Sequence, residues 1–262
     1  MELQVLVAAM GQEDLSLAKK MNIARPAVLA NQCGRWDYRR EGEVEMISSA
    51  TRGVGKNRNL ALSLAQGEIL LFADDDIVFY EADLQGVVDA FRELPDADVI
   101  FFGIDMTKKG EVFDARRCDV KRLHLWNSMR YGACRMAVRR KSLEKHGLQF
   151  STLFGGGCIY GSGEDTVLIR DCFRKGLKLY THPYVLGACA KDSSTWFTGY
   201  NEKYFFDRGA MLACAFPKGK HLVKYYFAWR LKKKSAQPLG KILRLMTQGI
   251  KAFPKLETYN GL

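Results

Sequence analysis

Apolar runs and amphipathic stretches alternate along the first hundred residues. Residues 3–9 (LQVLVAA), 27–30 (AVLA) and 44–48 (VEMIS) are short β-prone runs, and 13–21 reads as a helix. Over 57–65 the apolar residues Leu60, Ala61 and Leu64 fall at i, i+1 and i+4, as one face of a helix requires, and Gly67 closes that helix. The run ILLFA at 69–73 contains no polar residue, the pattern of a strand covered on both faces. A helix over 82–94 and a second buried strand over 98–103 continue the alternation. Strands alternating with helices predict an α/β fold around a mostly parallel sheet.

Residues 104–160 are less regular. They carry a long connection, a strand over 131–138 and the glycine stretch Gly155, Gly156 and Gly157. A helix over 164–175 follows, ended by Gly176, and then a strand over 177–181. No internal repeat or low-complexity linker interrupts the chain, so residues 1–217 read as one domain and 218–262 as an appended segment. In that segment Pro238 can open a helix. At 100° per residue, Leu239, Ile242, Leu243, Met246, Ile250 and Phe253 then share one face, with Lys241, Arg244, Lys251 and Lys255 opposite.

Composition changes the picture in two ways. The 262 residues are 47% hydrophobic, enough apolar surface to exclude disorder as the main state. No window approaches the roughly 18 apolar residues that span a bilayer, and MELQVLVAAMGQED lacks the basic start of a secretory signal. The seven cysteines are scattered without a CxxC and only four histidines occur, which argues against a zinc cluster or disulfide scaffold and for reduced thiols in a cytoplasmic protein. The net charge of +11 suggests an acidic partner, yet it is not spread evenly. Residues 218–256 hold eleven basic residues and no acid, so the body before them is close to neutral at +1. A basic amphipathic helix there suits an anionic membrane surface, as does the interfacial mixture LVKYYFAWRLKKK before it; the alternative is a helix docked on the domain with its basic face in water.

Three constellations can carry chemistry. Asp74, Asp75 and Asp76 directly follow the buried strand ILLFA. Ligands of open α/β sheets bind outside the carboxyl ends of strands, and adjacent carboxylates there suit a hard divalent cation such as Mg²⁺ or Mn²⁺. The alternative is a solvated acidic turn. Arg52, Gly53, Val54, Gly55, Lys56, Asn57 and Arg58 run into a helix, where backbone N–H groups and basic side chains can hold an anion. This is not a Walker A loop, because Ala50 and Asn57 stand where that motif needs glycine and a hydroxyl residue. The alternative is an exposed basic turn. Gly161, Ser162, Gly163, Glu164 and Asp165 open another helix. Acidic residues in a first turn are favoured by the helix dipole alone, and they can equally present a general base. Two further candidates are His182, a metal ligand or a structural histidine, and Trp196, a sugar-stacking platform or a core anchor.

The order of these segments resembles the family 2 glycosyltransferases of the GT-A fold, over roughly residues 3 to 190. RGVGKNRNLALSLAQGEILLFADDDI is similar to that family's donor half, and GSGEDTVLIRDCFRKGLKLY to its acceptor half. The resemblance implies a GT-A, Rossmann-like domain with a mostly parallel sheet, carrying here a basic helical C-terminal tail. It places Asp74 and Asp76 on the family's D-x-D positions, with Asp76 the direct Mn²⁺ or Mg²⁺ ligand, Asp74 towards the donor ribose and beside the metal, and Asp75 with them in the donor nucleotide site. It places Asp165 on the catalytic base, beside Glu164. Arg52, Lys56 and Arg58 fall in the segment lining the nucleotide pocket, with Asn31 a further candidate for that pocket and Trp196 for the acceptor. The chain reads AAMGQ after its first strand, where the family often has P-x-Y-N.

The implied activity is metal-dependent, inverting transfer of a sugar from a nucleotide-sugar, of UDP type, to a hydroxyl of a glycan or lipid-linked glycan in surface-polysaccharide synthesis. A cytoplasmic enzyme peripheral on the plasma membrane through its tail fits that task. Two rivals share features: a nucleotidyltransferase, which also pairs carboxylates with a metal, and a basic nucleic-acid-binding protein. No zinc-finger, RRM-like or helix-turn-helix pattern supports the latter, so nucleic acid is not an expected partner.

Overall fold

The computed structural model describes residues 1–108, 111–115, 119–189 and 198–259. The chain begins with β1 (Leu3–Met10), α1 (Ser16–Lys20), β2 (Ala27–Gln32), β3 (Asp37–Glu41), β4 (Val44–Ser49), α2 (Val54–Ser63), β5 (Ile69–Asp74) and β6 (Ile77–Phe79). There follow α3 (Gln85–Glu93), β7 (Val99–Lys108), β8 (Glu111–Ala115), β9 (Lys121–Arg122), α4 (Leu125–Ser128), β10 (Met136–Arg139) and α5 (Arg140–His146). The last elements are α6 (Glu164–Arg174), β11 (Leu179–Cys189), α7 (Glu202–Ala215), α8 (Lys220–Lys232) and α9 (Leu239–Ala252).

One sheet runs through the molecule in the order β3-β4-β2-β1-β5-β10-β7-β11-β6. The block β4-β2-β1-β5 is parallel, with Val5 opposite both Ala27 and Leu71. Strand β10 enters antiparallel between β5 and β7, while β7 and β11 are again parallel. The sheet is therefore mixed, parallel in its N-terminal block and interrupted by β10. Leu70 and Phe72 face one apolar layer and Ile69, Leu71 and Ala73 the other, the period of two that puts both faces of ILLFA in the core. Burying such a side chain stabilises the fold by about 2 kcal/mol.

Several boundaries differ from the sequence pattern for physical reasons. Residues 133–135 form a 3₁₀ turn, and the strand expected over 131–138 starts only at Met136. Strand β11 runs past the expected end at residue 181 because Pro183 is accommodated by a register shift between Thr181 and Val185. Helix α5 has a single buried residue, Leu143, so it carries almost no hydrophobic periodicity. Strand β3 is mostly exposed and pairs antiparallel with β4 at the sheet edge.

The C-terminal helices form a third core with α7. Phe205, Phe206, Met211 and Leu212 of α7 pack with Val223 and Phe227 of α8 and with Ile242, Leu245 and Met246 of α9. Glycines let α7 and α9 touch backbone to backbone: a Cβ at Gly209 would lie 2.1 Å from the Met246 carbonyl oxygen, and one at Gly249 1.9 Å from that of Phe206. This changes the reading of α9. Its apolar stripe is buried against α7, so α9 is a docked helix rather than one free to lie on a membrane. The helical layer also begins at Glu202, ahead of the charge change at Pro217. No helix of the described residues is long and apolar enough to cross a membrane.

Candidate active site

A cavity of about 800 Å³ opens at the carboxyl ends of β1 and β5. Ala8, Ala9 and Met10 of β1, Gln32 at the end of β2 and the Asp74–Asp76 turn form one wall. The Gly161–Asp165 segment and the α7 residues Lys203, Tyr204, Asp207 and Arg208 form another. The two acidic constellations, far apart in sequence, thus meet in space.

Arg58 joins them. Its Nη2 donates to Asp74 Oδ1 at 2.8 Å, and its Nη1 to Glu164 Oε1 at 3.1 Å and Asp165 Oδ1 at 3.2 Å. The side chain is only 5% exposed, and its guanidinium lies over the Phe150 ring at 5.3 Å. Arg58 reaches this position from α2, whose first turn is packed against the 150–157 loop. The Val54 N–H donates to the Gly156 carbonyl at 2.9 Å, and a Cβ at Gly55 would lie 2.1 Å from the Ser151 carbonyl oxygen. Asn59 exchanges two hydrogen bonds with the Phe150 backbone. The Asn57 amide binds the carbonyls of Ala9 and Ala30, tying the ends of β1 and β2 to the same helix.

This corrects the anion-site expectation for 52–58. The start of α2 is occupied by protein, Arg52 and Lys56 are exposed outside the cavity, and Arg58 is committed to three carboxylates. Asn31 is likewise held elsewhere: fully buried, it bonds the Gln12 backbone through both amide atoms and Ser48 Oγ. Its neighbour Gln32 lines the cavity instead, donating to the Gly53 carbonyl. His182 does not reach the cavity. Its Nε2 lies 3.1 Å from Glu93 Oε2 and its Nδ1 accepts from the Tyr184 N–H, so it serves the far part of β11 rather than a metal. Trp196 lies outside the described residues.

Glu164 and Asp165 open α6 after Gly163, whose φ of 121° makes the turn. The turn is braced by Asp207 of α7, which accepts from the Gly161 N–H at 2.8 Å and from Lys203. Burial pushes the Asp165 carboxyl up to about 7; the neighbouring Glu164 and Asp74 add to this, while Arg58 and a hydrogen bond from the Ala133 N–H oppose it. A carboxyl poised there can accept a proton near neutral pH. Cys134, also in the cavity wall, is different. Burial, with Asp74 and Asp165, pushes its thiol far up, which argues against a nucleophilic role.

The sequence pattern missed the α7 wall and Tyr131. A signal was present in α7, where Lys203, Tyr204, Asp207 and Arg208 at i, i+1, i+4 and i+5 form one polar face in an otherwise apolar helix.

Whether the site suits a divalent cation turns on its donors. Among the described residues no three His, Cys, Asp or Glu side chains converge into a self-sufficient metal cage. Mg²⁺ and Mn²⁺ commonly need less, taking one or two carboxylates and completing their shell with water and substrate phosphate. Asp74, Asp75 and Asp76 all line the cavity. Arg58, the cation nearest the acidic turn, is already committed to Asp74, Glu164 and Asp165. The donor set fits such an ion.

Comparison with known proteins is consistent with this arrangement. Residues 30–147 match the family model of Glycosyl transferase family 2. That likeness covers a little under half of the chain. The matched stretch holds Arg58 and the Asp74–Asp76 turn, and the fold brings Glu164 and Asp165 to it. The fold is GT-A. Crystal structures of S. aureus TarS share it: the TarS 1-349 complex with UDP-GlcNAc superposes with a TM-score of 0.59 at 13% identity, covering 99% of this chain and 93% of that one. The TarS 1-349 complex with UDP gives the same score and identity over 98% and 86%. A longer TarS structure gives 0.60 at 15% identity, covering 88% of this chain but only 44% of that one, so this chain spans less than half of its length. No curated protein matches the sequence.

Proposed function

We propose that this protein is a glycosyltransferase that moves a sugar from a UDP-type nucleotide-sugar to a hydroxyl of a glycan or lipid-linked glycan, with inversion at the anomeric carbon. The observation that carries the reading is the meeting of Asp74, Glu164 and Asp165 on Arg58 at the carboxyl ends of the parallel strands. It puts Asp165, a carboxyl that burial raises above its ordinary pKa, in the same cavity as the acidic turn after β5. The UDP and UDP-GlcNAc complexes of the structurally similar TarS 1-349 support the choice of nucleotide.

Asp165 takes the proton of the attacking hydroxyl, which makes that oxygen a better nucleophile as the bond to the diphosphate lengthens. Arg58 holds the base and the donor-side aspartate at a fixed spacing. Asp76, with Asp74, is the proposed seat of Mg²⁺ or Mn²⁺, which when bound offsets the charge of the leaving diphosphate. Residues of β1 and α7 both line the cavity that would hold donor and acceptor. Synthesis of a surface polysaccharide on the cytoplasmic side of the plasma membrane is the setting that this substrate class implies.

Asp76→Ala tests the donor end. Calorimetry should show UDP binding strengthened by Mn²⁺ in the parent chain, and a loss of roughly tenfold or more in that metal-dependent part in the variant. Equal UDP binding with and without metal in both proteins would remove the cation from the account.

A further inference from the structure

We infer that the outer face of α8 is a docking surface for an anionic phospholipid bilayer. The inference concerns a surface outside the cavity and stands whether or not the sugar-transfer reading holds.

Helix α8 is apolar on two sides. Val223, Phe227 and Ala228 are buried in the core shared with α7 and α9. On its other side Leu222, Tyr225, Tyr226 and Trp229 fall at i, i+3, i+4 and i+7, a continuous helical stripe that faces solvent. Leu222 is 79% exposed, Tyr225 57% and Trp229 55%. Trp126 of α4, 54% exposed, extends the stripe: it packs edge-to-face on Tyr226 and stacks on Phe216. Isolated exposed hydrophobics are ordinary, but five in one contiguous patch, four of them aromatic, call for a partner.

Charge selects the partner. Basic residues flank the stripe at both ends, Lys218 and Lys220 before it and Lys232, Lys233 and Lys234 after it. Lys233 Nζ lies 4.2 Å from the Trp229 ring centroid and Arg230 lies over Tyr226, so the cations share the surface of the aromatics. No acidic residue occurs from 209 to 256. A second copy of the chain would bring the same cations face to face without a counter-charge. Tyrosine and tryptophan at headgroup depth, with lysines reaching phosphates, are the chemistry of an interfacial helix on anionic lipid. The stripe is short, 13 residues of helix, and is fixed to a rigid core, which suits peripheral contact rather than insertion.

The patch adjoins the cavity. Trp126 lies on α4, three residues before Met129 of the cavity wall, and α7 lines the cavity while packing under α8. Docking by α8 therefore sets the cavity at a fixed place relative to the lipid surface. The surface assigned here is α8 and Trp126. The amphipathic stripe of α9, attractive in the sequence, is already covered.

Co-sedimentation of the full chain with vesicles tests this. The chain should pellet with phosphatidylcholine–phosphatidylglycerol vesicles and remain in solution with phosphatidylcholine alone. Added salt should release it, since surface charges are screened within about 10 Å at 0.1 M. Tyr225→Ser with Trp229→Ser should lower partition roughly tenfold or more, with circular dichroism and UDP affinity unchanged. Lys232→Glu, Lys233→Glu and Lys234→Glu together should abolish binding to the anionic vesicles. Unchanged partition of the aromatic variant would overturn the assignment. So would equal binding to neutral vesicles, a dimer in free solution that the aromatic variant dissolves, or tighter binding to single-stranded RNA than to the vesicles.

Discussion

Replacing Asp165 by asparagine should lower the rate of sugar transfer about a thousandfold, a typical loss for a positioned general base, while UDP binding stays within a few-fold of the parent. Asparagine keeps the size and shape of the side chain but cannot take a proton. The parent's pH profile should follow the same group. Transfer needs the carboxylate, and burial holds that carboxyl at about 7, so kcat should fall as pH drops through 7. The variant should lack that limb. Stability should move the opposite way. Because the folded pKa is raised above the ordinary 3.8, Asp165 contributes stability that is full below pH 4 and is lost as pH rises through 7. The inactive asparagine variant should therefore melt no lower than the parent at pH 8, and each kcal/mol of relief should raise Tm by about 3 °C. Parent-like transfer rates in Asp165→Asn would assign the base elsewhere.

The largest effect on the fold should come from Arg58→Ala. Three carboxylates depend on this one buried cation, and removing it leaves Asp74, Glu164 and Asp165 facing one another without a counter-charge. Breaking one partner out of a buried ion cluster costs about 3–5 kcal/mol. The variant should unfold at markedly lower temperature, most of all at alkaline pH where all three acids are ionised. Arg58→Lys should recover only part of that loss, because a lysine ammonium cannot span Asp74 on one side and the Glu164–Asp165 pair on the other as a guanidinium does. Thermal melts of both variants at pH 5 and pH 8 check this. A Tm for Arg58→Ala equal to the parent's at pH 8 would mean that Arg58 is not the electrostatic centre of the site.

The parts of this molecule that were legible in the sequence are those whose physics is local. ILLFA reads as a buried strand because every side chain in it is apolar, and the 57–65 helix reads from its spacing. The acidic turn and the Glu164–Asp165 helix start could each be placed on an element from their own neighbours. What joins them was not legible: Arg58 looked like a phosphate-binding residue because its neighbours are basic. Only the fold, with Gly55 seated on Ser151 and Phe150 beneath the guanidinium, shows that it turns inward. Asn31 and His182 misled for the same reason, since their partners Gln12, Ser48 and Glu93 come from other segments. Strand β10 joins the sheet through pairing with β5 and β7, a long-range fact that four residues of sequence do not carry. Helix α9 displayed its apolar stripe openly, but the stripe could not say whether protein or lipid would cover it; Gly209 and Gly249 decided for protein.

The central claim is that the cavity built around Arg58 breaks a nucleotide-sugar between the anomeric carbon and the diphosphate. The most direct measurement incubates the protein and Mn²⁺ with UDP-GlcNAc and other UDP-sugars in the presence of glycan acceptors, and identifies the nucleotide released. UDP should appear in step with glycosylated acceptor, and neither should form with Asp165→Asn. Pyrophosphate formed from UTP and a sugar phosphate, with no UDP released from any UDP-sugar, would contradict it and make the protein a nucleotidyltransferase.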